Sequence, residues 1–594
     1  MTGSHARVTV AALMRAYIAV LSLALVAGCG SVPAEVDEDA DGYSADVDCD
    51  DDDATVHPGA AELCDDVDRN CDGDPTAGAV DGARWYADVD GDGFGDPGTP
   101  LWACTPPAQA VKDGTDCHDD AADAFPRSTA TEKPGDGIDT DCDGLDACTD
   151  LNCDGLPDLV VPSHHDGDYS VTQPATILSG PRGWALEQTA LTMNGTLGVA
   201  AADLNHDGYM DVVHASFNDG QTTNTDSFVY WGSATGRAAS DRTAMASHGA
   251  HWPCVGDLNG DGWDEIVLAD HIDGDYDTES YVYWNDHGTF SAEHRTVLPT
   301  IGSTYCSIAK LDGDDYPEIV FSNYFNGATR NISSYVYWGA ATGYSPSRRT
   351  DLPTVGTYAH TVADVDSDGD RDLIFWCHHN DVSHFNEGTY IYWNNGGASG
   401  SAFSVAARTP LQGMGGWHGA VVDLNGDGHN EVIVPGYHND SVPGGWDNMA
   451  YTYVYWGNAT NNYSAADRTT LSLKGVLNVV PDDIDEDGHI DLLLSSHHDG
   501  DSYTASAIFW GGPGGRVSDA NRTELFGFQT AWGAAIADLD HDGHKDVFLP
   551  GYHNNGWGNL SYSRVYWGGA LGPRSNYFDE WATRGAWSAL IVGR

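Results

Sequence analysis

A nine-residue segment with regularly spaced oxygen-bearing side chains recurs along this chain. In the copy at residues 423–431, such side chains stand at positions 1, 3, 5 and 9, and a glycine stands at position 6. Alternate side chains of a tight turn can converge on one point, and glycine supplies the left-handed backbone that closes the turn. A hard cation such as Ca²⁺ takes about 6–8 oxygen ligands. The segment is therefore predicted to bind a hard cation.

The pattern begins at eight places, namely residues 150, 203, 257, 310, 364, 423, 483 and 538. Seven copies start with aspartate, and their oxygen-bearing side chains are predicted to be ligands of structural Ca²⁺. They are Asp150, Asn152, Asp154, Asp158, Asp203, Asn205, Asp207, Asp211, Asp257, Asn259, Asp261, Glu265, Asp364, Asp366, Asp368, Asp372, Asp423, Asn425, Asp427, Glu431, Asp483, Asp485, Asp487, Asp491, Asp538, Asp540, Asp542 and Asp546. In the eighth copy Lys310 takes position 1 and Asp315 takes position 6. A tethered ammonium is expected to replace the cation there, so this copy should bind calcium weakly or not at all.

Two further acidic segments lie in residues 37–147, a part rich in Asp, Gly, Pro and Cys. Their predicted metal ligands are Asp37, Asp39, Asp41, Asp48, Asp88, Asp90, Asp92 and Asp96. Each segment is followed by a cysteine-bearing tail, such as Asp48-Cys-Asp-Asp with a later Pro58-Gly-Ala-Ala-Glu-Leu-Cys64. These tandem units resemble the MopE-type metal-binding motif, although the second lacks the Pro-Gly-Ala-Glu-Cys step. The resemblance implies metal binding, and the oxygen donors favour Ca²⁺. A spacer stiffened by disulfides and calcium is compatible with the same residues.

Composition narrows the class of partner. The net charge of −64 argues against nucleic acid, whose affinity rests on Lys and Arg. The 19 Trp and 28 Tyr favour a packed fold over disorder. Eight cysteines lie between residues 49 and 153, which predicts a disulfide framework of an exported protein, with 105 possible pairings. Cys254, Cys306 and Cys377 lie among apolar residues and are predicted to be buried thiols.

The N-terminal 29 residues are predicted to be a targeting segment. Leu25-Val-Ala-Gly-Cys29 resembles a bacterial lipobox, which implies lipidation of Cys29. An ordinary signal peptide cut nearby is the alternative. Residues 30–36 form a linker, and no later run of about 18 apolar residues could span a membrane. The chain is expected in the bacterial cell envelope, at the outer membrane or cell surface, with the lipid as its only membrane contact.

Further features recur at fixed offsets from the nine-residue loops in residues 148–594. A Gly stands eight residues before most loops, and each loop is followed by an apolar strand, a polar turn, a Tyr-Trp-Gly-like strand and an Arg-Thr strand. Four short strands per repeat predict propeller blades, with the Tyr-Trp-Gly rings packed between them. Residues 585–594 fit the leading strand that the first loop lacks, so the C-terminus should close the ring. The loops resemble the FG-GAP or VCBS repeat, which implies an integrin-like propeller.

The predicted fold is thus all-β: an eight-bladed propeller closed by its C-terminal strand, after an irregular, disulfide-rich, Ca²⁺-binding module. The turns that follow the second strands lie on the face opposite the loops. They carry His165, Asp166, His379, Asn380, His438, Asn439, His498, Asp499, His553 and Asn554, and Trp252, Trp417 and Trp532 share that face. A structural turn, sugar pockets between blades and transition-metal binding by histidine remain open as interpretations.

Enzyme signatures are lacking from the sequence: there is no Gly-x-Ser-x-Gly, His-Glu-x-x-His or phosphate loop. A non-enzymatic adhesion or carbohydrate-binding module is therefore expected, with a glycan or protein at the cell surface as its ligand. The alternatives are a metal-binding scaffold that makes protein contacts and, third, a polysaccharide-degrading enzyme.

Overall fold

The computed structural model describes residues 37–126, 128, 138–140, 142, 150–153, 156–164, 173–178, 191–233, 237–378, 380–381, 388–397, 400–438, 450–460, 463–497, 505–526, 529–530, 532–553, 561–583 and 585–593. The chain divides into two compact units, Met1–Gly114 and Thr115–Arg594. The predicted signal segment, with Cys29, lies outside the described residues. Within the described part, no helix is long and apolar enough to cross a membrane.

The first unit has little regular structure. Its strands are β1 (Ala83–Ala87), β2 (Pro100–Ala103) and β3 (Ala110–Val111), which form an antiparallel sheet in the order β2-β1-β3. Two disulfides, Cys49–Cys71 and Cys64–Cys104, link its turns. The second unit holds a third, Cys117–Cys142, and Cys153 is also disulfide-bonded. The predicted disulfide framework near the N-terminus is confirmed for these seven cysteines.

The second unit is built from short antiparallel strands. In chain order they are β4 (Asp158–Val161), β5 (Gln173–Leu178), β6 (Leu191–Met193), β7 (Thr196–Ala202), β8 (Asp211–Ser216), β9 (Asn224–Tyr230), β10 (Arg242–His248), β11 (Ala250–Gly256), β12 (Glu265–Asp270), β13 (Asp277–Tyr283), β14 (Arg295–Ile301), β15 (Ser303–Ala309), β16 (Glu318–Asn323), β17 (Ser333–Tyr337), β18 (Arg349–Pro353), β19 (Thr357–Ala363), β20 (Asp372–Cys377), β21 (Thr389–Tyr392), β22 (Arg408–Leu411), β23 (Ala420–Val422), β24 (Glu431–Val434), β25 (Thr452–Tyr455), β26 (Arg468–Leu471), β27 (Val476–Asp482), β28 (Asp491–Ser496), β29 (Ala505–Phe509), β30 (Arg522–Phe526), β31 (Gln529–Thr530), β32 (Ala535–Ala537), β33 (Asp546–Leu549), β34 (Gly551–His553), β35 (Ser561–Tyr566), β36 (Phe578–Thr583) and β37 (Leu590–Val592). One 3₁₀ helix, Val405–Ala407, precedes β22.

These strands form eight four-stranded sheets in the described residues. Sheet 1 has the order β37-β4-β5-β6, and sheets 2 to 7 each take four consecutive strands from β7 to β30. Sheet 8 is β32-β33-β35-β36, beside the pair β31-β34. In sheet 1 the C-terminal strand pairs with the first strand after the cysteine-rich segment, with Ile591 opposite Leu159. This pairing is the one that the sequence predicts.

The recurring Tyr-Trp-Gly and Arg-Thr segments join the two outer strands in each of sheets 2 to 7. Tyr283 is fully buried between sheets, and the Arg295 guanidinium lies 4.0 Å from the ring centre of Tyr281 while donating to the Tyr283 hydroxyl. The indole Nε1 of Trp284 donates to Thr296 Oγ1 at 2.9 Å. The Arg and Trp contacts recur in several other sheets. The predicted packing of these rings between sheets is confirmed.

Neighbouring sheets pack through their first and second strands. The second strands are buried on both faces, as in β12 and β28, because a sheet covers each face. First strands touch in sequence, from β7 to β11, β15, β19, β23 and β27, and β37 touches both β32 and β7.

One cysteine prediction is wrong. Cys254 and Cys306 form a disulfide that joins β11 to β15, with 6.1 Å between their Cα atoms. The two residues are not near in sequence, and only the packing of adjacent first strands brings them together. Cys377 is a buried free thiol, as predicted.

Candidate metal-binding loops and the face opposite them

Seven of the nine-residue loops connect the first strand of a sheet to its second, and the eighth, at residue 150, leads into β4. In the copy at 423–431, Asp423 Oδ1 accepts from Gly426 N at 2.8 Å and Oδ2 from Gly428 N at 2.8 Å. Asn425 Oδ1 accepts from Asp427 N at 2.8 Å. Gly426 and Gly428 have φ of 73° and 86°, the left-handed conformation that turns these amides inward. The bond from the amide of position 6 to the carboxylate of position 1 recurs in five other repeat loops.

The carboxylate at position 9 opens the second strand and is buried. Glu431 Oε2 accepts from Leu424 N at 2.8 Å, and Oε1 accepts from Gly457 N at 3.0 Å. Burial, followed by the nearby charges of Asp427 and Asp423, raises the pKa of Glu431 to about 7. All eight position-9 carboxylates accept the amide of position 2 in the same way. This group therefore fastens the loop as well as adding negative charge to it.

Several buried carboxylate oxygens have no hydrogen-bond donor within the described residues. In the first unit they include Oδ2 of Asp39, Asp41 and Asp48, at positions 3, 5 and 12 of one segment. In sheet 7 they are Oδ1 of Asp483 and Asp485. A buried anion without a partner is costly, and a coordinated cation removes that cost. The donor set consists of oxygens, so the residues fit a hard cation.

The segment at residues 37–48 has the same backbone as the repeat loops. Ala40 N and Gly42 N donate to the two oxygens of Asp37, at 2.7 and 3.2 Å. Asp37, Asp39 and Asp41 each offer an oxygen within 4.8 Å of the others. The structure therefore brings together three of the four residues that the sequence predicts as ligands here, and their role as ligands stays a prediction.

The second acidic segment of the first unit, residues 88–96, resembles the repeat loops only in part. Gly91 N donates to Asp88 Oδ1 at 2.7 Å, and Oδ2 of Asp90 and Asp92 has no donor in the described part of the chain. Asp96 Oδ1 accepts from Gly98 N at 2.6 Å.

A further loop of this kind was not predicted from the sequence. Asp68 Oδ2 accepts from Gly73 N at 2.8 Å, and Asn70 Oδ1 accepts from Asp72 N at 2.9 Å. Cys71 and Gly73 take φ of 61° and 95°. The sequence does show the Asp-x-Asn-x-Asp-Gly spacing at residues 68–73, but this segment also belongs to the cysteine-bearing tail of the first MopE-type unit.

The cysteines beside these loops offer no thiolate ligands. Asp48 lies beside Cys49 and Cys71, and Asp116 lies beside Cys117 and Cys142. Both cysteine pairs are disulfides, and soft metals select the thiolate instead. At Asp48 and at Asp116, the available ligands are therefore oxygen atoms, which favour a hard cation.

The loop that begins at Lys310 departs from the others in its backbone. Neither Gly313 nor Asp315, at positions 4 and 6, has a positive φ, whereas both positions do in the six other fully described repeat loops. The Lys310 side chain is exposed. Because it lacks both the position-1 carboxylate and the inward amides, weak or no calcium binding remains the prediction for this loop.

The candidate ligand residues on the opposite face are only partly described. His165, Asp166, His379, Asn439, His498, Asp499, Asn554 and the metal candidate Asp154 lie outside the described residues, as does the side chain of His553. His438 is buried and Asn380 is half-buried. Their role as ligands stays a prediction.

The residues just before these turns form a closed ring of eight side chains, here called the axial ring. One residue follows the second strand of each sheet in order, namely His164, Phe217, His271, Tyr324, His378, Tyr437, His497 and Tyr552. Neighbouring ring centres lie 5.5–6.4 Å apart, and Tyr552 returns to His164 at 6.2 Å. Histidine alternates with Phe or Tyr, so each imidazole has an aromatic ring on either side.

A second aromatic layer, from the starts of the first strands, packs within the axial ring. Tyr358 stacks on Trp417 at 4.2 Å, and Trp417 lies 5.4 Å from Trp587. Trp252 lies 5.0 Å from Trp532, which belongs to a sheet five places further along the chain. Trp252, Trp417 and Trp532 thus pack together in one hydrophobic cluster.

Comparison with protein families identifies both kinds of repeat. FG-GAP-like repeats match at residues 257–321, 364–434 and 483–549. The MopE-type metal-binding motif matches at residues 48–75 and 116–147. The chain therefore carries FG-GAP-like repeats after two MopE-type motifs, as the sequence predicts.

No curated protein sequence matches the chain. Similar solved structures include a lectin of Agrocybe aegerita that recognises non-reducing terminal N-acetylglucosamine (14% identity, TM-score 0.33, 74% of this chain and 95% of that chain). Others are a protein from Lactobacillus plantarum (12%, 0.36, 64% and 98%) and the V. cholerae biofilm matrix protein Bap1 (13%, 0.30, 74% and 90%). Likeness at this level assigns no ligand to the chain.

Proposed function

We propose that this chain is a calcium-binding, eight-bladed β-propeller lipoprotein that acts as an adhesion or carbohydrate-binding module at a bacterial cell surface. The observation that carries the proposal is the axial ring, because a circle of side chains that passes once through each of eight sheets requires those sheets to surround one axis. Each sheet is then a blade, and pairing of β37 with β4 closes the ring.

The loops lie at the other end of the same strands, and their role in the proposal is structural. Their ligands are the oxygens that Ca²⁺ prefers, and the loop recurs from blade to blade as an architectural group does. The proposed role is non-catalytic, because catalysis usually takes place at one asymmetric site and not at a group repeated in every blade. The face that carries the axial ring is free to differ between blades and is the proposed recognition surface. Lipidation of Cys29 would hold the propeller at the membrane.

A glycan array probed with the mature protein, in calcium and after chelation, tests this function. Binding to a defined set of glycans that is weakened by chelation is the expected result. Failure to bind any glycan would refute the carbohydrate-binding role.

The MopE-type motifs favour a second candidate, a metal-binding scaffold protein. Stoichiometric uptake of copper or zinc by a protein that binds no glycan would support this candidate instead. Equilibrium dialysis of the same sample against each metal would measure that uptake.

A further inference from the structure

The turn between β35 and β36 in sheet 8 contains a pocket with a volume of about 360 Å³. Its lining includes Trp567, Gly569, Arg574, Asn576 and Tyr577, and all of its lining residues belong to this turn. Arg574, Asn576 and Tyr577 are exposed, so the pocket opens to solvent. Small-molecule pockets have volumes of about 300–1,000 Å³, so a small ligand has both room and access here.

The pocket is held in shape by hydrogen bonds at both ends of the turn. Trp567 N donates to Tyr577 O at 3.2 Å, and the indole Nε1 of Trp567 donates to Asp579 Oδ2 at 2.9 Å. Gly568 N donates at 2.6 Å to Asp546 Oδ1, the position-9 carboxylate of the same sheet. The pocket therefore lies at the loop-bearing end of the blade.

Sheet 8 differs from the other sheets in the residue that closes this turn. In five other sheets the backbone bond that Tyr577 accepts is accepted by a polar residue, namely Asp241, His294, Arg348, Asp467 and Asn521. Closing the turn therefore does not require the phenol ring of Tyr577, which is 45% exposed. An exposed aromatic ring beside a pocket is suited to contact with a ligand.

The charge in the pocket is positive. Arg574 is the one charged residue among those that line it. Of the carboxylates that follow on β36, Asp579 accepts from Trp567 Nε1, and Glu580 accepts from Arg564 Nε at 2.7 Å. A guanidinium binds a carboxylate through two parallel hydrogen bonds, so the pocket favours a ligand that carries one.

The other exposed side chains suit a sugar ring. The amide of Asn576 both donates and accepts hydrogen bonds, as hydroxyl groups require. Tyr577 offers a flat apolar surface, and a few polar groups around such a surface fix the orientation of a ligand.

We propose that this pocket, here called the sheet-8 pocket, binds one acidic sugar residue. Arg574 binds its carboxylate, Asn576 its hydroxyl groups, and Tyr577 packs against its ring. This inference rests on the proposed carbohydrate-binding function and names a ligand class for it. The sheet-8 pocket is a glycan site separate from the face that carries the axial ring.

One substitution fills the sheet-8 pocket. A Cβ added at Gly569 meets no atom within 4 Å, so Gly569→Leu should be accepted by the turn while its side chain occupies the pocket. Gly512→Leu is the matched control, because Gly512 also lies two residues after the tryptophan of its sheet, and a Cβ there is equally free of contacts.

Two further substitutions remove the proposed contacts. Arg574→Gln removes the charge, and Tyr577→Asn introduces the residue that sheet 7 has at the same position. Arg516→Gln, in the corresponding turn of sheet 7, controls for the loss of one exposed positive charge.

Calorimetric titration in calcium measures binding of the methyl glycosides of glucuronic and galacturonic acid, and of glucose and galactose as their neutral counterparts. The acidic oligosaccharide with the strongest array signal is titrated in the same way. Near-ultraviolet circular dichroism checks that each variant is folded.

The expected result is one acidic sugar bound per chain, with affinity about tenfold weaker in Gly569→Leu, Arg574→Gln and Tyr577→Asn. Gly512→Leu and Arg516→Gln should bind as the wild type does, and the neutral counterparts should bind about tenfold more weakly than the acidic sugars.

Wild-type affinity in all three pocket variants, equal losses in the two controls, or neutral sugars bound as tightly as acidic ones would overturn the sheet-8 pocket. Each of these results would leave the carbohydrate-binding function standing, as would binding of neutral glycans alone. Absence of binding to every glycan would overturn both.

Discussion

Removal of calcium should lower the melting temperature of the repeat region. Seven repeat loops begin with aspartate, and extracellular calcium sites have a Kd of about 10⁻⁴–10⁻³ M. At roughly 1 mM calcium, each such site adds about 0.4–1.4 kcal/mol to the free energy of unfolding. Seven sites then add roughly 3–10 kcal/mol, which is comparable with the whole stability of a domain.

The structural reason lies in the position-1 and position-9 carboxylates. These carboxylates crowd together at each loop. At Asp211, for example, burial raises the pKa, and the nearby charges of Asp207 and Asp203 raise it further. A divalent cation removes this repulsion in the folded state alone. For about 450 residues the entropy of unfolding is near 0.9 kcal/mol/K, so the melting temperature should fall by roughly 3–10 °C.

Differential scanning calorimetry with 1 mM calcium and with excess chelator is the assay. Calcium stoichiometry in Asp423→Asn should fall by one, whereas Asp277→Asn, which alters an exposed strand residue, should leave it unchanged. Lys310→Asp with Asp315→Gly should add one bound ion by restoring positions 1 and 6 of the eighth loop. A melting temperature that does not change with chelator would refute the reasoning.

Three other perturbations test the packing. Glu431→Gln should cost about 1–3 kcal/mol in a denaturant titration, because the amide cannot accept from both buried backbone N–H groups; exposed Glu279→Gln is its control, and equal effects would contradict this account. Cys254→Ser with Cys306→Ser should cost about 4 kcal/mol, the loop-entropy value for residues 52 apart, and unchanged stability would count against the link. Burial lowers the pKa of His360 to about 3 in the folded protein. As pH falls below about 6.5, His360 is therefore protonated in the unfolded chain but not in the folded one. Between pH 7.5 and 5 the wild type should therefore lose about 2 kcal/mol of unfolding free energy relative to His360→Gln, and a pH-independent difference would exclude this linkage.

Much of the fold could be predicted because the turns and strands of each repeat depend on residues close together in sequence. The Asp-x-Asn-Gly-Asp-Gly spacing at residue 423 requires a tight turn, and the glycines provide its left-handed backbone. The Trp284 and Thr296 positions recur because an indole N–H must find an acceptor on the next strand. The loop at Asp68 has the same short-range spacing of side chains, so it could have been predicted from the sequence as well.

The sequence by itself determined the loops, the four strands of each repeat and the pairing of the last strand with the first. These features depend on hydrogen bonds and turns between residues a few positions apart, or on a motif that is missing at one end and present at the other. Only the tertiary structure decided that Cys254 bonds Cys306 and that one side chain from each repeat joins the axial ring. Those contacts join different sheets, and spacing along one chain does not specify which side chains meet at the centre of a ring.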